Sequence, residues 1–183
     1  MATTTTISQV GEFPLISSMV GDLTMGQAVT LGPGDDGAVF QVDGSAVVST
    51  DVLVEEVHFR RRWSTATDVG RKAVAVNVSD IEAMGAVPVA LVVGFSAPGD
   101  LPASWAREFM AGMTAESQKA GVSVVGGDTT GGPVVSIAVT VIGQTAGMAP
   151  VRRDGAVPGD EVAVIGQLGL AAAGLALLGR GFR

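Results

Sequence analysis

Residues 34–51 read GDDGAVFQVDGSAVVSTD, with an apolar run on either side of the pair Asp43–Gly44. Asp and Gly both tolerate the positive φ angles of a type I′ turn, so this pattern predicts a β-hairpin with a two-residue loop. In that register Asp36 lies directly opposite Asp51, although like charges across a strand pair destabilise a sheet. The opposed carboxylates therefore predict a positive group between them.

The composition is that of one globular domain. The chain has 183 residues, of which 47% are hydrophobic and 16% are charged, and this is enough for a hydrophobic core. The formal net charge of −7 argues against nucleic-acid binding and against binding to anionic membranes, because both need a basic surface. The absence of cysteine from the sequence excludes disulfides, thiolate metal sites and cysteine nucleophiles.

The two ends of the sequence show no export or membrane signal. Residues 1–13 lack the basic and apolar regions of a signal peptide. The longest apolar tract, residues 162–178, is interrupted by glycines and is short for a membrane span. We therefore expect a cytoplasmic protein. The final helix has scarcely begun where the sequence stops, so we expect either a fragment of a longer protein or a partner that covers this helix.

Strand and helix patterns alternate along the chain. We predict helices over 12–20, 68–84 and 104–120, the second with Thr67 as its N-cap, and further strands over 89–95, 122–127, 134–142 and 161–166, from apolar runs, capping residues and glycine stops. Residues 1–10 are predicted to be disordered, and residues 57–66 to form a basic, irregular connection. The order of elements predicts an α+β fold, a mixed β-sheet with helices packed on one face.

Two further acids stand out beside the predicted hairpin. On a helical projection Asp80 falls within an apolar arc, so its carboxylate is predicted to face inward. The residues of that arc are Val69, Ala73, Val76 and Met84. Asp128 follows a buried strand and begins the segment DTTGGP, part of a glycine-rich loop at 126–133. Backbone N–H groups of such loops can approach phosphate oxygens closely. A wide turn between two strands is the simpler interpretation of this loop.

Taken together, the acids Asp36, Asp51, Asp80 and Asp128 predict a metal site with oxygen ligands only. Mg²⁺ favours carboxylates, water and substrate phosphates, whereas the spacing of an EF-hand Ca²⁺ site is absent from the sequence. Taken singly, each acid also has a structural explanation as a turn former, a cap or an ion-pair partner. The sequence contains no P-loop motif and no GxSxG motif, and no GxGxxG pattern follows a predicted strand, so a P-loop or Rossmann interpretation lacks support. His58, the only histidine, is compatible with a structural or a functional role.

Six segments, in order, resemble the thiamine-monophosphate kinase family: GEFPLI (11–16), LGPGDDGAVF (31–40), VVSTDVLVEEVHF (47–59), RKAVAVNVSDIEAMGAVP (71–88), VGGDTTGGP (125–133) and RRDGAVPGDEVAVIGQLG (152–169). The NxSDxxAMGA pattern is shared with a wider superfamily. That superfamily includes aminoimidazole ribonucleotide synthetase, selenophosphate synthetase and a hydrogenase maturation factor. The combination of STDxLVExVHF with GGDTT is more specific to the kinase.

The resemblance implies transfer of the γ-phosphate of ATP to thiamine monophosphate, and a homodimer whose sheets join into a barrel. It implies that several Mg²⁺ ions are bound by Asp36, Ser49, Thr50, Asp51, Asp80 and Asp128. Gly127, Asp128 and Arg153 are implied as ATP contacts, and His58 as a substrate contact. No general base is implied, because the attacking phosphate oxygen is already anionic near neutral pH.

The resemblance also implies a division of the chain. Residues 11–150 correspond to an ATP- and Mg²⁺-binding dimerisation domain, and residues 151–183 to a linker and the start of a C-terminal domain. The family's SDGL-type motif is absent from the sequence. Gly131 stands where the family often has Arg, so one positive contact to phosphate is either missing or supplied by another residue. Two alternatives stay open: a non-catalytic dimerisation or nucleotide-binding fragment, and a sister synthetase that uses ATP.

Overall fold

The structure, a computed structural model, describes residues 4–182 and separates into two units, one ending at Val151 and one beginning at Arg152. This division lies one residue from the predicted boundary. The elements, in chain order, are α1 (Ile7–Val10), α2 (Glu12–Val20), β1 (Val29–Leu31), β2 (Val39–Phe40), β3 (Ala46–Val54), α3 (Ala66–Ala83), β4 (Val87–Ala97), α4 (Ala103–Ala120), β5 (Ser123–Gly131), β6 (Ser136–Gln144) and α5 (Leu170–Gly179).

A mixed sheet with the strand order β3-β6-β4-β5 forms the centre of the first unit. β6 is antiparallel to both β3 and β4, and β5 is parallel to β4. β3, β4 and β5 therefore run in the same direction, and parallel strands need crossover connections, which α3 and α4 provide. The predicted mixed sheet is confirmed, and β3 is one of its edges.

The two faces of this sheet have different coverings. Leu91, Val93 and Phe95 of β4 are buried in one core with residues of α3 and α4, which confirms that these helices share one face. On the opposite face, Val89 and Val125 form a smaller cluster with residues around β1 and β2. The remainder of that face is not covered by any of residues 4–182, and we call it the open sheet face. Its exposed apolar side chains are Val48, Val52 and Val92, which are 61%, 46% and 39% exposed.

Two glycines allow α3 and α4 to pack closely. A Cβ atom on Gly70 would overlap the carbonyl oxygen of Phe109, and one on Gly112 would overlap that of Thr67. The backbones of the two helices therefore touch directly at this crossing. Beside it, the rings of Phe95, Trp105 and Phe109 stack with centroid separations between 5.6 and 6.3 Å.

The predicted hairpin at 34–51 is wrong. All nine residues of β3 pair with β6, and Val39 and Phe40 pair with β1 instead. Gly44 does take a positive φ of 76°, but its bend lies against the end of β6, where the Ser45 N–H donates to Thr145 Oγ1 at 3.0 Å. The predicted type I′ turn is therefore not formed, because Asp43 does not share the positive φ of Gly44, and the strand partner of β3 is a distant segment.

Two further expectations differ from the structure. Residues 161–166 are not a strand, because the second unit offers no neighbouring strand to accept their hydrogen bonds within the described residues. Val162 and Ile165 are 96% and 100% exposed. Near the start, α1 replaces the predicted disorder over 7–10, since the Ile7 N–H donates to the Leu101 carbonyl at 2.9 Å. Residues 1–3 of that predicted segment lie outside the described residues.

The second unit consists of irregular chain followed by α5, whose residues are not buried. Arg152 forms an ion pair with Asp154 at 2.9 Å, with both side chains 71% exposed. Over residues 4–182, no helix combines the length and the apolar character needed to cross a bilayer.

Candidate functional site

Three of the predicted ligands lie on β3 and α3, two elements that pack against each other. Ser49 Oγ donates a hydrogen bond to Asp80 Oδ2 at 2.8 Å. Asp51 lies two residues farther along β3, so strand alternation places it on the same face as Ser49, about 7 Å along the strand. Ser49 and Asp51 are half-buried, while Asp80 is exposed. The arrangement is a shallow site with one hydroxyl and two carboxylates.

The exposure of Asp80 corrects the prediction that it faces inward. The buried residues of α3 are Ala66, Val69, Gly70, Ala73, Val74, Asn77, Val78 and Ile81. This stripe has the three- and four-residue spacing of an amphipathic helix, and Asp80 lies at its border. Val76 and Met84, which the projection placed on the same arc, are only half-buried. Because Asp80 borders the stripe, its carboxylate reaches the edge strand β3 and remains accessible.

Asn77 is a buried polar residue that the sequence analysis did not identify. Its side chain is 0% exposed, and its Nδ2 donates to the Ala73 carbonyl at 2.8 Å. Its Oδ1 has no hydrogen-bond partner among the described residues. Its burial could have been predicted from the sequence, because Asn77 lies three or four residues from Ala73, Val74 and Ile81 and therefore falls inside the apolar stripe.

A capping box fixes the first turn of α3. The Asp68 N–H donates to Thr65 Oγ1 at 3.1 Å, and the Thr65 N–H donates to Asp68 Oδ2 at 3.2 Å. The Thr65 hydroxyl also donates to Asp68 Oδ2 at 2.7 Å. Hydrogen bonds from the Thr65 hydroxyl and backbone hold the pKa of the Asp68 carboxyl below its usual range. The N-cap of α3 is therefore Thr65, two residues before the predicted N-cap Thr67, and the helix begins at Ala66.

Asp36 does not belong to either β3 or α3. It is an exposed residue of the loop between β1 and β2, where its N–H donates a hydrogen bond to Asp35 Oδ1 at 2.9 Å. Because the predicted hairpin does not form, Asp36 and Asp51 are not opposed across a strand pair. The argument for a positive group between these two carboxylates no longer applies.

Thr50 and Asp128 lie on the open sheet face rather than beside Asp51. Thr50 Oγ1 donates to the Val139 carbonyl at 3.0 Å and contacts Thr140 Oγ1 at 3.1 Å. Asp128 pairs with Gly94 on β5, at the opposite edge of the sheet from β3. Three strand spacings, about 14 Å, separate the two edge strands. The single chain therefore does not bring Thr50 or Asp128 to the carboxylates of Asp51 and Asp80.

The glycine-rich segment is largely a strand, not the predicted loop. β5 continues to Gly131 and pairs with β4 along this length. A Cβ atom on Gly127 would overlap the backbone of Val93, so this position requires glycine for the close approach of the two strands. Gly131, where the resembled family often has Arg, is exposed and has no other group within 4 Å of an added Cβ.

His58 lies in the tight turn that follows β3. Its Nδ1 accepts a hydrogen bond from the Val54 N–H at 3.0 Å, and its carbonyl accepts one from Lys72 Nζ at 2.6 Å. The side chain is exposed. Lys72 is a second residue that the sequence analysis did not assign, because its contact depends on the packing of α3 beside this turn.

A cluster of charged side chains stabilises the segment after His58. Glu56 binds Arg60 at 3.0 Å and Arg62 at 2.8 Å. The two guanidinium groups lie 4.2 and 5.2 Å from the ring centroid of Trp63. The predicted basic connection is therefore paired with acid and aromatic groups, and it does not present free positive charge. Arg153, in the second unit, is exposed.

Only some of the predicted ligands lie where they could bind Mg²⁺ together. Over residues 4–182, no group of three or more His, Cys, Asp or Glu side chains is arranged to hold a metal ion. Ser49, Asp51 and Asp80 nevertheless form an accessible set of oxygen donors, and Mg²⁺ is commonly bound by one or two carboxylates with water and substrate phosphates. The oxygen donors of these three residues suit Mg²⁺, and the full set of six ligands stays a prediction.

Comparison with known proteins gives matches over most of the chain. The family model for AIR synthase related protein, N-terminal domain, matches residues 34–145. The thiamine-monophosphate kinase of Mycobacterium tuberculosis (strain CDC 1551 / Oshkosh) is 49% identical over 173 residues, which cover 94% of this chain and 52% of that protein. The chain spans about half the length of the curated relatives it matches.

Solved structures give a consistent result. The crystal structure of thiamine-monophosphate kinase from Stenotrophomonas maltophilia K279a matches with a TM-score of 0.77 at 36% identity, covering 91% of this chain and 51% of that one. AaThiL complexed with AMPPCP and TMP matches with a TM-score of 0.53 at 28% identity, covering 78% and 44%. Since the family model covers more than half of the residues, the chain belongs to the AIR synthase related protein family, whose N-terminal domain it contains.

Proposed function

We propose that this chain is the ATP- and Mg²⁺-binding N-terminal part of a thiamine-monophosphate kinase, which phosphorylates thiamine monophosphate to thiamine diphosphate. The observation that carries the proposal is the 49% identity to a protein of that name over 94% of the chain. The structure of AaThiL with AMPPCP and TMP, a relative at 28% identity, supports ATP and thiamine monophosphate as ligands. The use of ATP also favours a cytoplasmic location.

The contact between β3 and α3 is the part of the chain that we assign to the charged reactants. Ser49, Asp51 and Asp80 would hold Mg²⁺, which supplies positive charge to offset that of the phosphates when bound. Asp36, Thr50 and Asp128 are proposed as further metal contacts, Gly127, Asp128 and Arg153 as ATP contacts, and His58 as a substrate contact.

The chemistry proposed for this site is in-line phosphoryl transfer. A phosphate oxygen of thiamine monophosphate forms a bond to the γ-phosphorus of ATP, and the bond from that phosphorus to the β,γ-bridging oxygen breaks to release ADP. The nucleophile is already anionic, so the protein's part is to position the two phosphates and to balance their charge. The shortage of histidine in the sequence agrees with a mechanism that has no general base.

We also propose that the protein is a homodimer joined through the open sheet face. Val48 and Val52 of β3 and Val92 of β4 are exposed on this face, and among residues 4–182 no strand pairs with the outer edge of β3. A second copy would cover these apolar side chains and would close the two sheets into a barrel.

The test of the proposed function is ADP production by the intact protein, supplied with Mg²⁺ and ATP. ADP should form only when thiamine monophosphate is added, and thiamine diphosphate should appear in equal amount. ADP formation that requires a phosphoribosyl substrate instead would identify a sister synthetase. A protein that binds ATP and dimerises but produces no ADP with either substrate would be a non-catalytic module.

A further inference from the structure

The turn that contains His58 fixes its ring as well as its backbone. The Val54 N–H, at the free edge of β3, donates to His58 Nδ1 at 3.0 Å, and the His58 N–H donates back to the Val54 carbonyl at 2.8 Å. A backbone N–H can only donate, so Nδ1 is the acceptor and the proton of the neutral ring is on Nε2. Among residues 4–182, no other group forms a hydrogen bond with Nε2.

Two more contacts hold this turn in place. Lys72 Nζ, from α3, donates to the His58 carbonyl at 2.6 Å. Glu56 has a φ of 65°, which is uncommon for a residue other than glycine, and its N–H donates to the Phe59 carbonyl at 2.7 Å. Backbone strain of this kind persists only where surrounding contacts determine it, and it is concentrated at functional sites. The ring position of His58 is therefore set jointly by β3, α3 and the turn.

We propose that this turn presents His58 as an Nε2–H hydrogen-bond donor, and that Lys72 is the positioning residue for that donor. The inference rests on the proposed function, because the acceptor is an atom of thiamine monophosphate. A phosphate oxygen or an unprotonated pyrimidine nitrogen can accept from Nε2–H, whereas the amino group and the thiazolium ring cannot. Lys72 acts through the His58 carbonyl and does not itself touch the substrate.

The ring state can be measured without any substrate, because the chain has one histidine. In the ¹⁵N-labelled protein, NMR should show a proton on Nε2 and none on Nδ1. A scalar coupling across the hydrogen bond should connect the Val54 amide nitrogen with Nδ1. A proton on Nδ1, or the absence of this coupling, would contradict the proposal whatever the protein's substrate is.

The role of Lys72 is tested by kinetics of the intact protein. Lys72→Met removes the ammonium group but keeps an unbranched side chain, and we expect the KM for thiamine monophosphate to rise about tenfold with kcat changed less than about twofold. The reason is that one substrate hydrogen bond weakens equally in the ground state and the transition state. Lys72→Arg, which keeps a cationic donor, should restore KM to within about threefold of the wild type.

The matched control is Lys119→Met, which changes the only other lysine of the chain; Lys119 is paired with Glu116 on α4. Its KM should equal that of the wild type. An unchanged KM in Lys72→Met, with a normal wild type, would overturn the positioning role. A wild-type protein without kinase activity would instead refute the proposed function, and the NMR measurement would still decide the state of the ring.

Discussion

At the scale of single residues, the face of a strand or helix on which a side chain lies decides whether it can take part in the candidate site. Ser49 and Asp51 share one face of β3, and Thr50 between them is directed to the other. A row of consecutive residues in a motif is therefore divided between two surfaces of the sheet. The hydrogen bond from Ser49 to Asp80 shows which of the two surfaces meets α3.

The first prediction concerns the carboxylates of this surface. Asp51→Asn and Asp80→Asn should each lower kcat/KM of the intact protein by at least about 100-fold, because neutral amides bind Mg²⁺ and balance phosphate charge less well. The melting temperature should change little, since neither carboxylate is buried. Glu82→Gln, an exposed acid on the same helix, is the control and should keep wild-type activity. Wild-type turnover in either Asp variant would remove that residue from the site.

The second prediction concerns the first turn of α3. Thr65→Ala removes the cap that binds the Asp68 N–H and should lower the free energy of unfolding by about 1 kcal/mol. Urea unfolding followed by circular dichroism measures this change. Ser64→Ala, beside the cap, should have a smaller effect, and equal losses in both variants would argue against the capping box.

The Asp68 carboxylate adds a pH dependence whose sign follows from its pKa. Its pKa in the folded protein lies below that in the unfolded chain, so its contribution is complete above the unfolded value of about 3.9. That contribution is lost as the pH falls through the lower folded value. The stability difference between the wild type and Asp68→Asn should therefore be present at neutral pH and shrink under strong acid. A difference that grows with acidity would contradict this assignment.

At the scale of elements, a sequence pattern predicts the ends of helices better than it predicts which strands pair. Helix α2 has the predicted bounds, and α4 ends at Gly121 in the left-handed conformation, as expected for a glycine cap. These features are determined by neighbouring residues. The partner of β3 was not predictable from residues 34–51, because β6 lies about ninety residues away and offers nine paired positions. The prediction that Asp80 faces inward was wrong for a related reason, because the buried arc of α3 is determined by its packing against α4 and the sheet.

The third prediction tests the helix crossing that supports α3. Gly112→Ala places a methyl group onto the Thr67 carbonyl, so the two backbones must separate. We expect a loss of about 1–3 kcal/mol in the free energy of unfolding. Gly131→Ala, at an exposed position with free space around it, is the control and should change stability by less than about 0.5 kcal/mol. Equal stability of the two variants would show that the crossing can relax.

At the scale of the whole molecule, the sheet has one face packed by helices and one that is only partly covered. The apolar residues of the open sheet face are spread over β3 and β4, and β6 between them contributes Thr140 and Ile142. Sequence alternation could predict that some residues of each strand face away from the helices. It could not predict which strands are neighbours, and so it could not identify this surface as continuous.

The fourth prediction is that a second copy covers this surface. Val48→Glu introduces a charge at a position that is 61% exposed in the chain, so the monomer should fold normally. In a dimer the same carboxylate would be buried without a partner, which costs several kcal/mol. Sedimentation equilibrium should therefore show a dimer for the wild type and a monomer for Val48→Glu at micromolar concentration. Phe13→Glu, at an exposed position on α2, should stay dimeric, because its charge lies away from the sheet. A monomeric wild type, or a Val48→Glu variant as dimeric as the wild type, would exclude the open sheet face as the interface.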